Sequence, residues 1–325
     1  AAIMGALRAG LVPMLINTLS TDDLLRFFLQ DSGAVAVVCE AADRARFGAA
    51  MLAGTQVRAR LMPGDWADAP ATLDEAPTRR GDMAFWMYSS GSTGRPKGVV
   101  HRHEDAAYTH ASYARHVLRL DESDICFSVP KIFFAYGFGN SVTFPLAAGA
   151  ATVLLSGRPE PARVFAAIER HRPTVFFGLP TLYTALCGDP AARGADLTSL
   201  RLCISAAEIL SEEVATAWRG LSGCEIVEGL GSTEMLHIYL SNAPEAWRRG
   251  AAGRAVPGYA VRLVGPDGAE VGAGEDGVMQ VAGLSATHGY WNRPDKTAES
   301  LRDGWVDTGD RFACDTDGFY YFKGR

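Results

Sequence analysis

Cysteine, long apolar runs and metal-ligand spacings are scarce in this sequence. Its six cysteines among 325 residues are scattered, and no CxxC pair or Cys/His spacing predicts a zinc site. No apolar run approaches the ~20 residues that a membrane-spanning helix needs. These absences argue against a zinc module and an integral membrane protein. They favour reduced, buried cysteines in a cytoplasmic protein.

An excess of positive charge is also missing. The formal net charge is -6, and no Lys/Arg cluster indicates a surface for nucleic acid or for an acidic membrane. Hydrophobic residues make up 48% and charged residues 21% of the chain, which argues against disorder, collagen and coiled coil. An anionic ligand must therefore be held by local groups and not by the overall charge.

Both ends of the sequence look interrupted. Residues 1–10 read as the interior of an amphipathic helix, without an initiator Met, a preceding cap residue or the charged region of a signal peptide. The sequence stops abruptly after Lys323-Gly324-Arg325. We therefore expect it to be part of a longer protein.

Apolar strand-like segments alternate with helix-like segments over residues 1–250. The pattern predicts strands at 35–39, 83–88, 125–129, 174–177, 200–205 and 225–228, and helices at 104–118, 162–170 and 211–219. Such alternation predicts an α/β fold with parallel sheets flanked by helices. Residues 251–325 are β-rich, with strands at 259–264, 277–281 and 319–322 and one helix at 296–301. We expect a smaller, barrel-like subdomain there.

A loop rich in Gly, Ser and Thr follows the predicted strand 83–88. Its glycines allow a sharp turn and a close approach to a ligand, and its hydroxyls, backbone N–H groups and one lysine suit a polyphosphate. The candidate ligands are Ser89, Ser90, Gly91, Ser92, Thr93, Gly94 and Lys97. Pro96 before Lys97 and Gly98 after it exclude a Walker P-loop. A solvated Ser/Gly linker is the alternative, but it does not need the Pro-Lys-Gly ending.

This loop resembles the signature of the adenylate-forming enzymes, which include acyl-CoA and aryl-CoA ligases, firefly luciferase and peptide-synthetase adenylation domains. The resemblance implies that the loop wraps the β- and γ-phosphates of ATP. Gly229-Leu-Gly-Ser-Thr-Glu234 resembles the second signature of the family, with Leu230 where most members carry Tyr. It implies that Thr233 contacts the α-phosphate and that Glu234 binds Mg²⁺. Alone, Ser-Thr-Glu is also typical of a helix cap.

Further motifs follow in the family order. Trp305-Val-Asp-Thr-Gly-Asp310 resembles the ribose-binding motif, which implies that Asp310 and then Arg325 lie at the ribose. Glu208 falls in the loop that, by the same resemblance, lies between acid and adenine. The stretch 289–297 matches a segment that we interpret as mainly structural. Family members carry further N-terminal sequence and a mobile C-terminal domain with a lysine for adenylation, which this sequence does not include.

The segment Lys131-Ile-Phe-Phe-Ala-Tyr-Gly-Phe-Gly139 and the motif around Glu234 together resemble benzoate-CoA ligases. The resemblance implies a flat apolar pocket for an aromatic ring. Its lining would be Ala135, Tyr136, Ala207, Gly231, His237 and Ile238. Those ligases carry Gly where this chain has Ala207. His237 has three open interpretations: a ring-edge contact, a hydrogen-bond donor to a ring substituent, or a packed residue.

The resemblance implies an enzyme that joins an aromatic acid, benzoate or a substituted benzoate, to coenzyme A with ATP and Mg²⁺. Catalysis would be electrostatic and positional, through Lys97, Thr233 and Glu234, because the substrate carboxylate is itself the nucleophile. Two alternatives stay open: an adenylation domain that loads a carrier protein, and a nucleotide-binding module without turnover. No nucleic-acid or membrane partner is expected, and a homodimer is left open.

Overall fold

The computed structural model describes residues 1–70, 72–89 and 94–325. The chain forms two compact units that are interleaved in sequence. Unit 1 contains residues 1–103 and 289–294, and unit 2 contains residues 104–288 and 295–325. The boundary predicted near residue 250 falls inside unit 2 and stays a prediction.

Unit 1 is built on two small sheets. Strands β1, β4 and β5 form a mixed sheet in the order β1-β4-β5, and β2 pairs with β3 in parallel. Its helices and strands are α1 (Ala2–Arg8), β1 (Met14–Leu15), α2 (Asp22–Ser32), β2 (Ala36–Val38), α3 (Ala49–Leu52), β3 (Ala59–Leu61), β4 (Met83–Ser89) and β5 (Lys97–Arg102). The strands predicted at 35–39 and 83–88 are thereby confirmed.

Unit 2 contains a seven-stranded sheet in the order β12-β11-β10-β9-β8-β6-β7. Its first elements are α4 (His103–Thr109), β6 (Ile125–Ser128), α5 (Ala135–Phe138), α6 (Phe144–Ala148), β7 (Ala151–Val153), α7 (Pro161–His171), β8 (Val175–Gly178), α8 (Pro180–Gly188), β9 (Leu202–Ala206), α9 (Glu212–Ser222), β10 (Ile226–Gly231), β11 (Ile238–Ser241) and β12 (Arg254–Ala255). Wide π-type turns at His110–Leu118 and Gly139–Thr143 continue α4 and α5.

The buried strands of this sheet follow from their sequence. Every residue of β9 is buried, which fits a parallel strand covered on both faces. Helix α9 is capped at its N-terminus by Ser211, whose side chain accepts a hydrogen bond of 3.3 Å from Val214 N. It ends at Gly223, whose φ of 73° suits glycine. The α9 residue Trp218 stacks on Phe176 of β8, with the ring centroids 5.8 Å apart.

The rest of unit 2 is antiparallel. Strand β14 pairs with β13 and β16, and β16 also pairs with β15 and β17. The bounds are β13 (Ala260–Val264), β14 (Asp276–Ala282), α10 (Pro294–Ser300), β15 (Leu301–Arg302), β16 (Trp305–Cys314) and β17 (Tyr320–Gly324). The α/β fold followed by a smaller β-rich part is confirmed. The larger sheet is mixed and not purely parallel, because only residues 232–237 join β10 to β11, too few for a crossover.

Across the described ranges 1–70, 72–89 and 94–325, no helix has the length and apolar character required to cross a membrane.

Candidate active site

The predicted phosphate loop lies between two paired strands of unit 1. Strand β4 ends at Ser89 and β5 begins at Lys97, and these two residues are partners in the antiparallel register. Ser90, Gly91, Ser92 and Thr93 lie outside the described residues. A Cβ atom on Gly94 would meet nothing within 4 Å. The Lys97 ammonium lies 3.9 Å from the centroid of the Tyr290 ring, a cation–π contact that positions this charge at the mouth of the hairpin.

The segment 289–294 closes against β5. Trp291 N donates a hydrogen bond of 2.8 Å to Gly98 O, and Val100 N donates one of 3.4 Å to Gly289 O. A Cβ atom on Gly98 would lie 3.2 Å from the Trp291 Cβ atom, so glycine permits the close approach. These contacts give the segment the structural role that we predicted for it.

In unit 2, Thr233 and Glu234 occupy a tight turn between β10 and β11. Ser232 Oγ accepts a hydrogen bond of 3.2 Å from Met235 N, and Thr233 O accepts one of 3.0 Å from Leu236 N. Glu234 O accepts a third, 2.7 Å long, from Thr287 N. The turn leads into a strand and not into a helix, so the alternative interpretation of Ser-Thr-Glu as a helix cap is wrong.

Asp310 and Arg325 form an ion pair in unit 2, with Arg325 Nε 3.4 Å from Asp310 Oδ1. Burial raises the pKa of Asp310, and Arg325 opposes that shift. Burial is also the main cause that raises the pKa of Tyr239, and the charges of Asp310 and Glu234 add to it. The charges of Asp310, in the ribose motif, and of Glu234, in the second signature, therefore both raise the pKa of the Tyr239 hydroxyl. Glu208 lies in the exposed loop directly after β9.

The predicted ring pocket centres on His237. Its Nε2 atom lies 3.3 Å from the carbonyl oxygen of Tyr136, and the two rings are 5.6 Å apart. The rings of Phe144 and Tyr113 lie 4.5 Å and 5.4 Å from the His237 ring. Burial lowers the pKa of His237 to about 3, so the imidazole is neutral and Nε2–H donates to the carbonyl. These contacts show that the His237 ring packs against three other rings and makes a hydrogen bond to a backbone carbonyl.

Gly231 lies next to His237 because β10 pairs with β11, and Ile238 directly follows His237 in the sequence. Gly231 and Ile238 are register partners, and a Cβ atom on Gly231 would lie 2.5 Å from His237 O. Ala135, buried, begins α5 immediately before Tyr136. Ala207 follows β9, next to the strand that carries Gly229, and has a φ of 75°, which favours glycine. The structure thus brings Tyr136, Gly231, His237 and Ile238 together, with Ala207 at the exposed end of an adjacent strand.

Comparison with known proteins identifies the family. The model of the AMP-binding enzyme family matches residues 1–291. The chain belongs to the AMP-binding enzyme family. It is 43% identical to a benzoate–CoA ligase of Thauera aromatica over 99% of the chain, and spans 63% of that relative's length.

Two solved members of the AMP-binding family are also similar. A benzoate CoA ligase from Burkholderia xenovorans LB400 has a TM-score of 0.93 and 38% identity, with coverage of 100% of this chain and 66% of that one. The anthranilate CoA ligase AuaEII, solved in complex with anthranoyl-AMP, has a TM-score of 0.94 and 33% identity, with coverage of 100% and 65%. The sequence resemblance to adenylate-forming enzymes is thereby confirmed.

Several residues of this AMP-binding enzyme that pack against the predicted ring-pocket residues were missed in the sequence. A Cβ atom on Gly139 would lie 2.3 Å from His237 Cδ2, and one on Gly137 would lie 2.2 Å from Lys131 O. Both glycines are therefore required by close packing. The run Gly137-Phe138-Gly139, directly after Tyr136, is the sequence feature that could have indicated this close packing. Phe144 and Tyr113 gave no signal, because their contacts with His237 are set by tertiary packing.

Glu228 immediately precedes the second signature, and burial raises its pKa to about 7, opposed by Leu210 N–H and by Arg249. Because the folded pKa exceeds the unfolded value, this carboxyl stabilises the fold at low pH, and that contribution is lost as the pH rises through about 7. We expect the wild-type protein to lose about 2–3 kcal/mol of unfolding free energy between pH 5 and pH 8 relative to Glu228→Gln.

Urea denaturation of both proteins at the two pH values measures this difference. Glu122→Gln, at an exposed position, is the matched control and should follow the wild type at both pH values. An unfolding free energy of Glu228→Gln that tracks the wild type from pH 5 to pH 8 would contradict the raised pKa.

Proposed function

We propose that the full-length protein is an AMP-forming acid–CoA ligase for benzoate or a substituted benzoate. In the first step the substrate carboxylate attacks the α-phosphorus of ATP, and the bond to pyrophosphate breaks. In the second step the CoA thiol loses its proton and attacks the acyl carbon, and AMP leaves with the electrons of the acyl–phosphate bond. The relatives named as benzoate–CoA ligases support this reaction.

The observation that carries the choice of an aromatic acid is the arrangement of flat and small residues around His237. Tyr136 and Phe177 are in edge contact at 6.3 Å, which gives one aromatic wall. Gly231 and Ile238, which are register partners, would give a second, thin wall, because no side chain fits at position 231. A slot of this kind fits a planar ring, and Tyr136 and Ile238 would block a long acyl chain.

The nucleotide is held, in this proposal, by residues of several motifs. Lys97 and the loop residues Ser89 and Gly94, with the neighbouring Ser90, Gly91, Ser92 and Thr93, bind the β- and γ-phosphates. Thr233 contacts the α-phosphate. Asp310 accepts hydrogen bonds from the ribose hydroxyls, with Arg325 beside it and Glu208 near the adenine. The pairing of Asp310 with Arg325 supports the ribose site, because it brings the two residues of the predicted ribose site together at β16.

Glu234 is the proposed protein ligand for Mg²⁺. Within the described residues, no group of three or more His, Cys, Asp or Glu side chains could hold a metal ion. A single carboxylate on a rigid turn still fits this ion, because Mg²⁺ is usually bound through one or two carboxylates together with phosphate oxygens and water. When bound, Mg²⁺ would neutralise the charge on the phosphates. The turn fixes the Glu234 backbone through its carbonyl bond to Thr287 N.

A panel of carboxylic acids in the ATP–pyrophosphate exchange reaction of the full-length protein tests the proposal. Benzoate and small substituted benzoates should stimulate exchange, and hexadecanoate should not. No exchange with any acid would leave only a nucleotide-binding module without turnover. Exchange that does not depend on the added acid would refute the activation of a carboxylic acid substrate. Formation of the benzoyl thioester with free CoA separates the ligase from a domain that loads a carrier protein. A preference for hexadecanoate would refute the aromatic substrate.

A further inference from the structure

A group of buried polar atoms without hydrogen-bond partners lies around the ring pocket. Among the described residues, the group includes Tyr113 Oη, Tyr136 Oη and His237 Nδ1, whose rings are in contact, and both Asn140 Nδ2 and Oδ1. A buried polar atom of this kind costs about 1–3 kcal/mol if it stays unpaired, so each one needs an explanation. Their concentration around one ring pocket indicates that the pocket binds a polar group.

Two of the side chains point to the same place. Tyr136 and Asn140 are four residues apart on the continuous segment formed by α5 and the π-type turn Gly139–Thr143, so they share one face. The Asn140 amide lies close enough to the Tyr136 hydroxyl to oppose the rise of its pKa, whose main cause is burial. Neither side chain meets the geometry of a hydrogen bond with another described group.

The backbone at this place is also unusual. Asn140 and Ser141 lie on one π-type turn, and His110 lies on the other, His110–Leu118. Such turns are rare and occur frequently at functional sites, because they direct side chains differently from a regular helix. Asn140 is completely buried, with an exposed fraction of 0%. The turn therefore holds a buried amide, which has two donor hydrogens and one acceptor oxygen.

We propose that Asn140, together with the Tyr136 hydroxyl, binds a hydroxyl or amino substituent on the ring of the aromatic acid. This inference rests on the proposed function, because it assigns the distal end of the same pocket. A hydroxyl or amino group both donates and accepts, so it satisfies the amide and the phenol together. The unpaired Nδ1 lone pair of the neutral His237 is a further acceptor for the proton of the substituent.

The same site excludes a charged substituent. The Tyr136 phenol is neutral because burial raises its pKa, and His237 is neutral because burial lowers its pKa. Asn140 carries no charge, so a second carboxylate on the ring would be buried without a counter-charge. The structure therefore assigns monohydroxy- or monoaminobenzoates as the preferred class, above benzoate and above benzene dicarboxylates.

Asn140→Leu in the full-length protein tests the assignment, because leucine keeps the approximate size and removes the amide. The measured quantity is kcat/KM for each hydroxy- and aminobenzoate isomer, divided by kcat/KM for benzoate. For the best isomer this ratio should fall by about 10- to 100-fold, because the substituent loses its partner in a buried site. The kcat/KM for benzoate, which carries no substituent, should fall much less than that for the best isomer.

Two further variants make the outcome decisive. Tyr136→Phe should lower the same ratio, and in the double variant with Asn140→Leu the two effects should not multiply, because both groups bind one substituent. Ser199→Ala removes a buried hydroxyl that is also without a hydrogen-bond partner but has no part in the proposed site, so it is the matched control and should leave the ratio unchanged. An equal fall of kcat/KM for benzoate and its derivatives, or a ratio that does not change in Asn140→Leu, overturns the inference. If the unmodified protein uses no aromatic acid, it is the proposed function that fails.

Discussion

Lys97→Ala in the full-length protein is expected to lower the rate of acid-dependent ATP–pyrophosphate exchange by about 10²–10³. The lysine begins β5, opposite the end of β4, and its ammonium is held over the Tyr290 ring. In our proposal this preset charge stabilises the negative charge that develops on the departing pyrophosphate. A preorganised charge of this kind acts on the transition state without a cost of reorganisation.

The effect should therefore appear in kcat/KM for both ATP and the acid. Lys97→Arg keeps the charge and should recover part of the activity. Lys296→Ala is the matched control, because Lys296 is a partly exposed lysine paired with Glu299 at 2.6 Å, and it should behave as wild type. An unchanged exchange rate in Lys97→Ala would remove this residue from the phosphate site.

If the proposed function holds, Gly231→Ala should nearly abolish the use of benzoate by the full-length protein. The added methyl group would lie 2.5 Å from His237 O and 2.8 Å from Ile238 N, and both are backbone atoms that cannot rotate away. The pairing of β10 with β11 must then shift, which moves His237 and narrows the ring slot. Displacements of about 1 Å at a positioned substrate cost on the order of 10² in rate. Gly231→Trp should fill the slot and abolish the activity.

The thermal unfolding midpoint distinguishes a filled slot from a protein that does not fold. Gly220→Ala, where the new Cβ atom meets nothing within 4 Å, is the matched control for the chemistry of the substitution. Wild-type use of benzoate by folded Gly231→Ala would disprove the slot.

Ala207→Gly is expected to have the opposite effect on the range of accepted acids. It removes a methyl group and a positive-φ strain at 75°, so it should broaden the range of accepted ring substituents and raise the unfolding midpoint.

The alternation of strands and helices predicted the parallel part of unit 2 well. Strands such as β8 and β9 are short apolar runs buried on both faces, and helix α9 carries its own cap residue, so local sequence determines both. Strand β16 was not predicted. Its residues 306–310 include two aspartates, a threonine and a glycine, which read as a turn. It is a strand because β14, β15 and β17 all pair with it, and of these β14 ends more than twenty residues before β16 begins.

In the candidate site, too, local sequence predicted some features, and tertiary packing determined the others. The motifs identified Tyr136, Gly231 and His237 because a sequence pattern carries their identity and spacing. The π-type turns did not show in the sequence, because a helical periodicity with one added residue per turn still reads as a helix over 104–118. The unpaired amide of Asn140 also depends on this turn. The sequence therefore predicted residues that the fold brings together, Tyr136, Gly231 and His237, and did not predict the unpaired amide of Asn140.

Unit 1 consists of residues 1–103 and 289–294, so its last segment is synthesised long after the rest of the unit. Strand β5 is an edge strand of its sheet, and Trp291 both pairs with Gly98 and packs against Trp86, with the rings 4.4 Å apart. A ribosome adds roughly 5–20 residues per second, so Trp291 emerges on the order of ten seconds or more after Gly98. Throughout that interval the nascent β5 edge is uncovered and able to pair with other chains. We expect nascent chains that end before residue 289 to depend on chaperones far more than chains that extend beyond residue 294.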